Sequence, residues 1–435
     1  MRISRLKKQI FGAVTLALML FGINHLLGNA LEDISSAKTF VNELNAYESE
    51  GEQIDLVFVG GSRVEMTFAP DVFEEKLELN RVINAGSFQQ SLEGSYYQLK
   101  DLIDRFHPRY AVLGISGQAL SEPDNEQADL FVMRKISPST RALFLLECKD
   151  TIAQITIPMK VFRYRYYFAN LLSKAPELLR EVFTQDQTNS NAPRKHRFTY
   201  GTNSMEDGNI SIHNPIIFEE SEFDPRNVEY LDRIVELCAE NNVQLFITTA
   251  PTSMMRIYCS EDYQRIVDYY TDYAESHGLI YQNLSYLRDR ESFLPDSKMT
   301  DYNHVNGEGA YLVSELYAEI LKANIAGEDV SNYFYASLDE LKESVHRIVA
   351  VGANIETSPE NTITIQMISL HNDDVVPQYQ VLLATDGENF EVIMDWAESD
   401  TFELNASTAP FGSLYQIRAR TGEPGEIEAF QNYKY

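Results

Sequence analysis

The apolar run at residues 54–59, Ile-Asp-Leu-Val-Phe-Val, and the glycine pair after it constrain the fold more than any other stretch. A short, almost continuously apolar run is typical of a strand buried on both faces of a parallel sheet. Gly60 and Gly61 permit a tight turn, and Ser62 opens a short segment that can begin a helix. This junction predicts a serine hydroxyl at the carboxyl edge of a sheet, where ligands collect in open α/β folds.

Further strands and helices alternate along the chain in the same way. Apolar runs predict strands at 82–86, 110–115, 243–249 and 279–281, and apolar residues at helical spacing predict helices at 91–106, 228–238 and 261–277. We therefore expect an α/β fold with a five-stranded, flavodoxin-like parallel sheet between two layers of helices. Residues 119–226 break this rhythm and are interpreted as an insertion, with a long loop at 184–215.

A second chemical signal lies some 240 residues after the first. Asp301 and His304 are separated by two residues and precede an amphipathic helix. A carboxylate in this position can bind one ring nitrogen of the histidine, which leaves the other nitrogen able to take a proton from a serine. The alternative is structural: a capped helix start with a surface aspartate and a partly packed histidine.

Together these stretches resemble the SGNH hydrolase superfamily, the GDSL-type esterases, over about residues 50–325. The first block of that family has its nucleophile directly after the first strand, as Ser62 is here. Its last block is D-x-x-H, matched by Asp301 and His304. A second strand that ends Asn-Ala-Gly matches the block that carries an oxyanion-hole glycine, which corresponds to Gly86.

Within that superfamily, the chain is most similar to the membrane-anchored proteins of cell-surface polymer acylation, of the alginate O-acetylation and teichoic-acid D-alanylation types. The shared features are a G-x-S-R-type first block, with Arg63 after the serine, and Asn306 and Gly309 downstream of D-x-x-H. Two features depart from the wider family. Gly61 stands where the esterases have Asp, and residues 113–118, Leu-Gly-Ile-Ser-Gly-Gln, have no oxyanion-hole Asn.

The resemblance implies a serine esterase or O-acyltransferase that acts on acyl esters of a cell-surface polysaccharide or glycolipid, without a cofactor. Ser62 would be the nucleophile, and the backbone N–H groups of Ser62 and Gly86 would bind the oxyanion. Asn84 and Ser116, near the ends of neighbouring predicted strands, are the other expected oxyanion or substrate residues. A membrane-bound acyl-carrier protein is a possible partner. The rival interpretation is a scaffold or glycan-binding protein that keeps the fold and lacks the chemistry.

The N-terminus predicts a membrane anchor. Residues 1–8 carry four basic side chains, and residues 10–31 are apolar apart from two asparagines and a histidine. Such a run spans a bilayer as a helix with a cytoplasmic N-terminus, and the remainder of the chain is then exported. The alternative is a signal peptide cleaved near residues 28–30, Gly-Asn-Ala.

Composition excludes some functions. The net charge of −29 and a pI of about 4.6 argue against nucleic-acid binding, which needs a basic face. The three cysteines have no metal-ligand spacing. A metal site formed by Asp296, Asp301 and His304 is a remote alternative, because no second histidine lies at ligand spacing.

From about residue 340 the apolar pattern changes to the period of two that is typical of antiparallel strands. We therefore expect three parts: residues 1–31 as the anchor or signal, residues 32–335 as the α/β domain, and residues 340–435 as an all-β sandwich. Trp396 and Tyr379 either stack on a sugar ring or pack in the core of that sandwich.

Overall fold

The computed structural model describes residues 2–33, 35–122, 126–148, 151–168, 216–295, 298–410, 412–422 and 427–434. The loop predicted at 184–215 lies outside these residues, as does much of the predicted insertion.

A parallel sheet of five strands forms the first half of the fold, as the sequence predicted. The strands are β1 (Leu56–Gly60), β2 (Val82–Asn84), β3 (Tyr110–Gly114), β4 (Gln244–Thr249) and β5 (Ile280–Asn283). Their order in the sheet is β2-β1-β3-β4-β5, with every neighbouring pair parallel. This is the flavodoxin-type order. β2 lies on one side of β1, and the strands from β3 to β5 lie on the other side. This switch of side leaves a crevice at the carboxyl ends of β1 and β3.

The strands are buried on both faces, which explains their continuous apolar runs. Val57 and Val59 of β1 belong to one core, and Leu56 and Phe58 belong to the core on the opposite face. Because successive side chains of a strand point to opposite faces, one apolar stretch supplies both cores.

Helices cover the two faces. Residues from the helices at 92–106, 225–240 and 263–276 join the first core, and residues from those at 62–67, 70–77 and 307–325 join the second. In chain order the helices are α1 (Arg2–Asp33), α2 (Ser36–Glu50), α3 (Ser62–Thr67), α4 (Pro70–Leu77), α5 (Leu92–Phe106), α6 (Glu126–Met133), α7 (Pro138–Glu147), α8 (Thr151–Thr156), α9 (Lys160–Arg163), α10 (Pro225–Glu240), α11 (Met254–Tyr258), α12 (Tyr263–Ser276), α13 (Arg290–Phe293), α14 (Gly307–Ile325) and α15 (Leu338–Ser344).

α1 is long and apolar enough to cross a membrane, and none of its most apolar window is buried. Its C-terminal end contacts α9 and the residue that follows. Lys160 Nζ donates to Asn29 Oδ1 over 2.9 Å, and the Tyr164 hydroxyl donates to Glu32 Oε1 over 3.1 Å. The N–H of Val161 donates to Asn24 Oδ1 over 3.2 Å. The end of the apolar helix is therefore tied to residues of the predicted insertion.

The C-terminal part consists of antiparallel strands, again as predicted. They are β8 (Ala350–Thr357), β9 (Thr362–Leu370), β10 (Pro377–Ala384), β11 (Glu391–Ala397), β12 (Thr401–Asn405), β13 (Leu414–Thr421) and β14 (Ala429–Lys434). They form a four-stranded sheet, β11-β10-β13-β14, and a three-stranded sheet, β12-β9-β8. Both sheets contribute to one core, with Ile363 and Ile365 from the smaller sheet and Val381 and Ile417 from the larger.

The boundary between the two halves lies later than the predicted residue 340. Leu341 and Val345 of the α15 region pack in the first core, whereas Ile348 is the first residue of the C-terminal core. The two aromatic residues considered for sugar stacking are placed differently from each other. Tyr379 is buried in the core, whereas Trp396 is half-buried beneath the Arg420 guanidinium, 4.3 Å from the ring centre.

Candidate active site

Ser62 lies at the carboxyl end of β1, where the chain turns into α3. The turn depends on Gly60, whose φ of 145° is one that side chains rarely adopt. The C=O of Gly61 accepts the N–H groups of Val64 (3.0 Å) and Glu65 (3.2 Å) and so closes the first turn of α3. Ser62 is the first residue of that helix. The N–H groups of Ser62 and Arg63, at the very start of the helix, have no acceptor within it.

Asp301 and His304 come from a short hairpin between α13 and α14. Its strands are β6 (Met299–Asp301) and β7 (His304–Val305), and Asp301 pairs with His304 across it. The hairpin is followed directly by α14, whose N-cap Asn306 accepts the Gly309 N–H over 2.9 Å.

The three side chains form a continuous hydrogen-bonded chain. Ser62 Oγ lies 2.7 Å from His304 Nε2, and His304 Nδ1 lies 2.9 Å from Asp301 Oδ2 and 3.0 Å from Asp301 Oδ1. This is the order of a serine nucleophile, a histidine base and an orienting carboxylate. Ser62 and His304 therefore lie within hydrogen-bond reach of each other.

The backbone holds the carboxylate in place. Asp301 Oδ1 accepts the N–H groups of Asn303 (2.7 Å) and His304 (3.0 Å). Partial burial by itself would raise the pKa of Asp301. The hydrogen bond to His304, the positive charge of His304 and the two backbone N–H groups outweigh burial, and they lower the pKa below its ordinary value. Asp301 therefore stays ionised and keeps Nδ1 as the protonated ring nitrogen.

Ser62 and His304 open into a cavity of about 510 Å³. Its lining includes Ser116, one of the expected substrate residues, whose hydroxyl donates to Glu122 Oε1 over 3.2 Å. A cavity of this size takes a small acyl group and part of its alcohol, since ligand sites usually measure ~300–1,000 Å³.

Gly86 and Asn84 are placed differently from the expectation. The Gly86 N–H donates to Asn84 Oδ1 over 3.0 Å, and Asn84 Nδ2 donates to the carbonyls of Val64 and Phe68, each over 2.8 Å. Both residues are buried, and neither is among the described residues that line the cavity. The Gly86 N–H must leave Asn84 before it can donate to an oxyanion.

Gly86 instead has a packing role beside the nucleophile. A methyl group added there would lie 2.6 Å from the Glu65 nitrogen of α3, closer than real contacts permit. Its carbonyl accepts the buried Lys135 Nζ over 2.9 Å. Gly86 therefore lets the loop after β2 approach α3, the helix that carries Ser62.

Two residues of the site were not singled out from the sequence. Asn303 lies between Asp301 and His304, and its Oδ1 accepts from the guanidinium groups of both Arg63 and Arg256. Arg256 is on α11, after the turn that ends β4. The sequence contained a signal for each of them. Asn303 is a polar residue inside D-x-x-H, and Arg256 is a basic residue just beyond the end of a strand at the same sheet edge.

Asp296, which the metal alternative needs, lies outside the described residues. Among the residues that the structure does describe, no cluster of histidine, cysteine and carboxylate side chains has the geometry of a metal site.

Comparison with known proteins gives one result. A family model of uncharacterised function matches residues 209–326. No curated protein matches the chain. The matched segment contains Asp301, Asn303, His304 and Arg256, whereas Ser62 lies outside it.

Proposed function

We propose that this protein is a serine esterase or O-acyltransferase of the SGNH type, which acts on acyl esters of a cell-surface polysaccharide or glycolipid. The observation that carries the proposal is the chain of hydrogen bonds from Ser62 Oγ through His304 to Asp301, with separations of 2.7 Å and 2.9 Å. The resemblance to the cell-surface acylation proteins supports the substrate class.

The reaction has two steps. Ser62 Oγ attacks the ester carbonyl while His304 Nε2 takes its proton, and the oxyanion of the tetrahedral intermediate is held by the Ser62 N–H. The intermediate collapses to an acyl-serine, and His304 returns the proton to the departing alcohol. Water or a sugar hydroxyl then attacks the acyl-serine while His304 Nε2 takes its proton. The bond from the acyl carbon to Ser62 Oγ breaks, and His304 returns the proton to Oγ. Water as acceptor gives hydrolysis, and a sugar hydroxyl gives acyl transfer.

The apolar helix α1 supports a proposal for the cellular location of the protein. We propose a single-pass anchor with the N-terminus in the cytoplasm and the remainder outside, within reach of cell-surface polymers and of a membrane-bound acyl carrier. The hydrogen bonds of Val161 and Lys160 to Asn24 and Asn29 support retention of the helix, because cleavage near residues 28–30 would remove these acceptors. N-terminal analysis of the mature protein tests this, and a chain that starts near Leu31 would replace the anchor by a signal peptide.

The competing proposal is a scaffold or glycan-binding protein. It is favoured by the absence of the third-block Asn and by the engagement of the Gly86 N–H with Asn84. A fluorophosphonate probe separates the two proposals, since only an activated serine reacts with it. We expect labelling of the full chain in neutral detergent, and none in Ser62→Ala. Failure of the folded wild-type protein to label would favour the scaffold.

A further inference from the structure

Two arginine side chains meet beside the proposed nucleophile. Arg63 directly follows Ser62, Arg256 comes from α11, and both guanidinium groups donate to the single Oδ1 of Asn303. Asn303 is next to His304 in the hairpin, and Arg63, Asn303 and His304 line the same cavity. Arg256 is buried and is not among the described residues that line the cavity. Two positive charges therefore share one neutral acceptor, and Arg63 is the one that reaches the cavity wall.

Some arginines of the domain have carboxylate partners, whereas the buried Arg134 and Arg290 donate to backbone carbonyls. Arg81 pairs with Glu52 at 2.7 Å, and Arg226 pairs with Glu93 at 2.6 Å. Within the described part of the chain, no carboxylate lies within ion-pair distance of Arg63 or Arg256. The carboxylate of Asp301 is nearby, but it is engaged by His304 and by two backbone N–H groups.

Arg256 is also poorly satisfied. It is only 7% exposed, and its buried Nε has no hydrogen-bond acceptor among the described residues. The Tyr302 ring lies 5.1 Å from its guanidinium carbon and supplies some compensation for the charge. Burial and then the positive charge of Arg63 lower the pKa of Arg256, and burial lowers the pKa of Arg63. Each guanidinium group thus donates to Asn303 but has no carboxylate at ion-pair distance among the described residues.

We propose that Arg63, with the charge of Arg256 beside it at Asn303, binds an anionic oxygen group, a carboxylate or a phosphate, on the ester substrate. The planar guanidinium fork matches such groups, and an anion at the cavity wall would supply the negative charge that Asn303 lacks. The inference rests on the proposed serine chemistry and narrows it: the preferred ester carries a negative charge near its carbonyl. That charge belongs either to the acyl group or to the alcohol.

Three esters distinguish these sources in the full-length protein in neutral detergent at constant ionic strength. They are para-nitrophenyl acetate, which is neutral, para-nitrophenyl succinate, with a carboxylate on the acyl side, and para-acetoxyphenyl phosphate, with a phosphate on the alcohol side. The measurement is the ratio of kcat/KM for each charged ester to that for the acetate. We expect wild type to prefer one charged ester, and Arg63→Gln and Arg256→Gln each to reduce that preference roughly ten- to hundredfold, the usual effect of losing a hydrogen bond to a charged group.

The ratio separates substrate binding from a purely positioning role. If the arginines serve only to hold Asn303 and the hairpin, all esters slow equally and the ratio is unchanged, which would overturn the inference. Arg288→Gln is the matched control, since Arg288 pairs with Glu340 at the surface at 2.8 Å. Its ratio should equal that of wild type. Arg256→Lys keeps the charge if Arg256→Gln does not fold, and it should retain part of the preference.

Thermal unfolding tests the anion site without catalysis, and so separates it from the proposed serine chemistry. Succinate or inorganic phosphate should raise the Tm of Ser62→Ala, and this rise should be absent when Arg63→Gln is added. If acetate hydrolysis does not depend on Ser62 but the Arg63-dependent rise in Tm is present, the serine chemistry fails and the anion site stands. If hydrolysis depends on Ser62 while neither the ratio nor the Tm responds to the anion, the anion site fails alone.

Discussion

Two histidine–aspartate pairs with the same geometry occur in the two halves of this molecule. His304 Nδ1 lies 2.9 Å from Asp301 in the α/β half, and His346 Nδ1 lies 2.9 Å from Asp374 beside the antiparallel sheets. The first histidine side chain is 19% exposed and its second nitrogen meets Ser62, whereas the second is 66% exposed. In the described part of the chain, no serine hydroxyl contacts His346.

The difference shows what creates a site. A pair of a carboxylate and a histidine is common on protein surfaces, and by itself it contributes little to the free energy of folding. In the α/β half, the parallel sheet brings the ends of distant strands to one edge, so a serine at residue 62 meets a histidine at residue 304. In the antiparallel half, three of the five neighbouring strand pairs are consecutive in the chain, and apolar side chains fill the core between the two sheets.

The largest expected effect is loss of the serine or its base. Ser62→Ala and His304→Ala should reduce hydrolysis of para-nitrophenyl acetate by the full chain to the rate without protein, because such groups act as a unit. His346→Ala is the matched control and should leave the rate unchanged. We expect weak wild-type hydrolysis, because one missing oxyanion donor costs ~3 kcal/mol in the transition state. Unchanged activity in Ser62→Ala would remove the nucleophile assignment.

Replacement of the carboxylate should cost less. In Asp301→Asn the amide oxygen can still accept the N–H groups of Asn303 and His304, so the hairpin keeps its shape. The stabilisation of the imidazolium is lost. We expect a loss of kcat roughly ten- to a hundredfold smaller than that in Ser62→Ala. Asp374→Asn tests the second pair and should have no effect on kcat. Equal losses in Asp301→Asn and Ser62→Ala would mean that nothing else holds the imidazole.

Most of this organisation could be predicted from local sequence. The apolar runs indicate the buried strands. The family resemblance of two distant segments indicated that Ser62, Asp301 and His304 belong to one site, because the glycine turn and the D-x-x-H spacing are weak signals when taken singly. Other side-chain contacts between distant segments could not be predicted. Nothing local shows that Arg256 meets Arg63 at Asn303, or that Asn84 Nδ2 donates to the carbonyls of Val64 and Phe68. Such contacts depend on how loops from different strands pack together at the sheet edge.

The next effect concerns the packing of Gly86 against the nucleophile helix. Gly86→Ala places a methyl group against the Glu65 nitrogen, and overpacking of this kind typically costs ~1–3 kcal/mol. We expect a lower midpoint of unfolding and, because Glu65 and Ser62 share α3, slower ester hydrolysis as well. Urea unfolding and the acetate assay measure the two effects. A variant with wild-type stability and activity would show that the loop moves freely and has no such role.

A smaller effect is expected from pH. Because the folded-state pKa of Asp301 is lowered from its ordinary 3.8, this group stabilises the fold above that pH, and the contribution is lost as pH falls through the lower folded value. The Tm difference between wild type and Asp301→Asn should therefore be largest near neutral pH and shrink below about pH 4. A difference that grows on acidification would contradict the ionised, hydrogen-bonded carboxylate.

The smallest expected effect on catalysis comes from removing the entire antiparallel half. Leu341 and Val345 are each 1% exposed and pack with the α/β core, while the C-terminal core begins at Ile348. A chain that ends at Val345 should therefore keep wild-type hydrolysis of the acetate and the unfolding midpoint of the α/β half. A chain that ends at Asp339 is the matched comparison. It lacks Leu341 and Val345, and the loss of one such buried side chain typically costs ~2–5 kcal/mol, so it should unfold more easily. If the chain that ends at Val345 folds normally but loses hydrolysis, the second half must contribute to the site. The contrast between the two halves would then no longer hold.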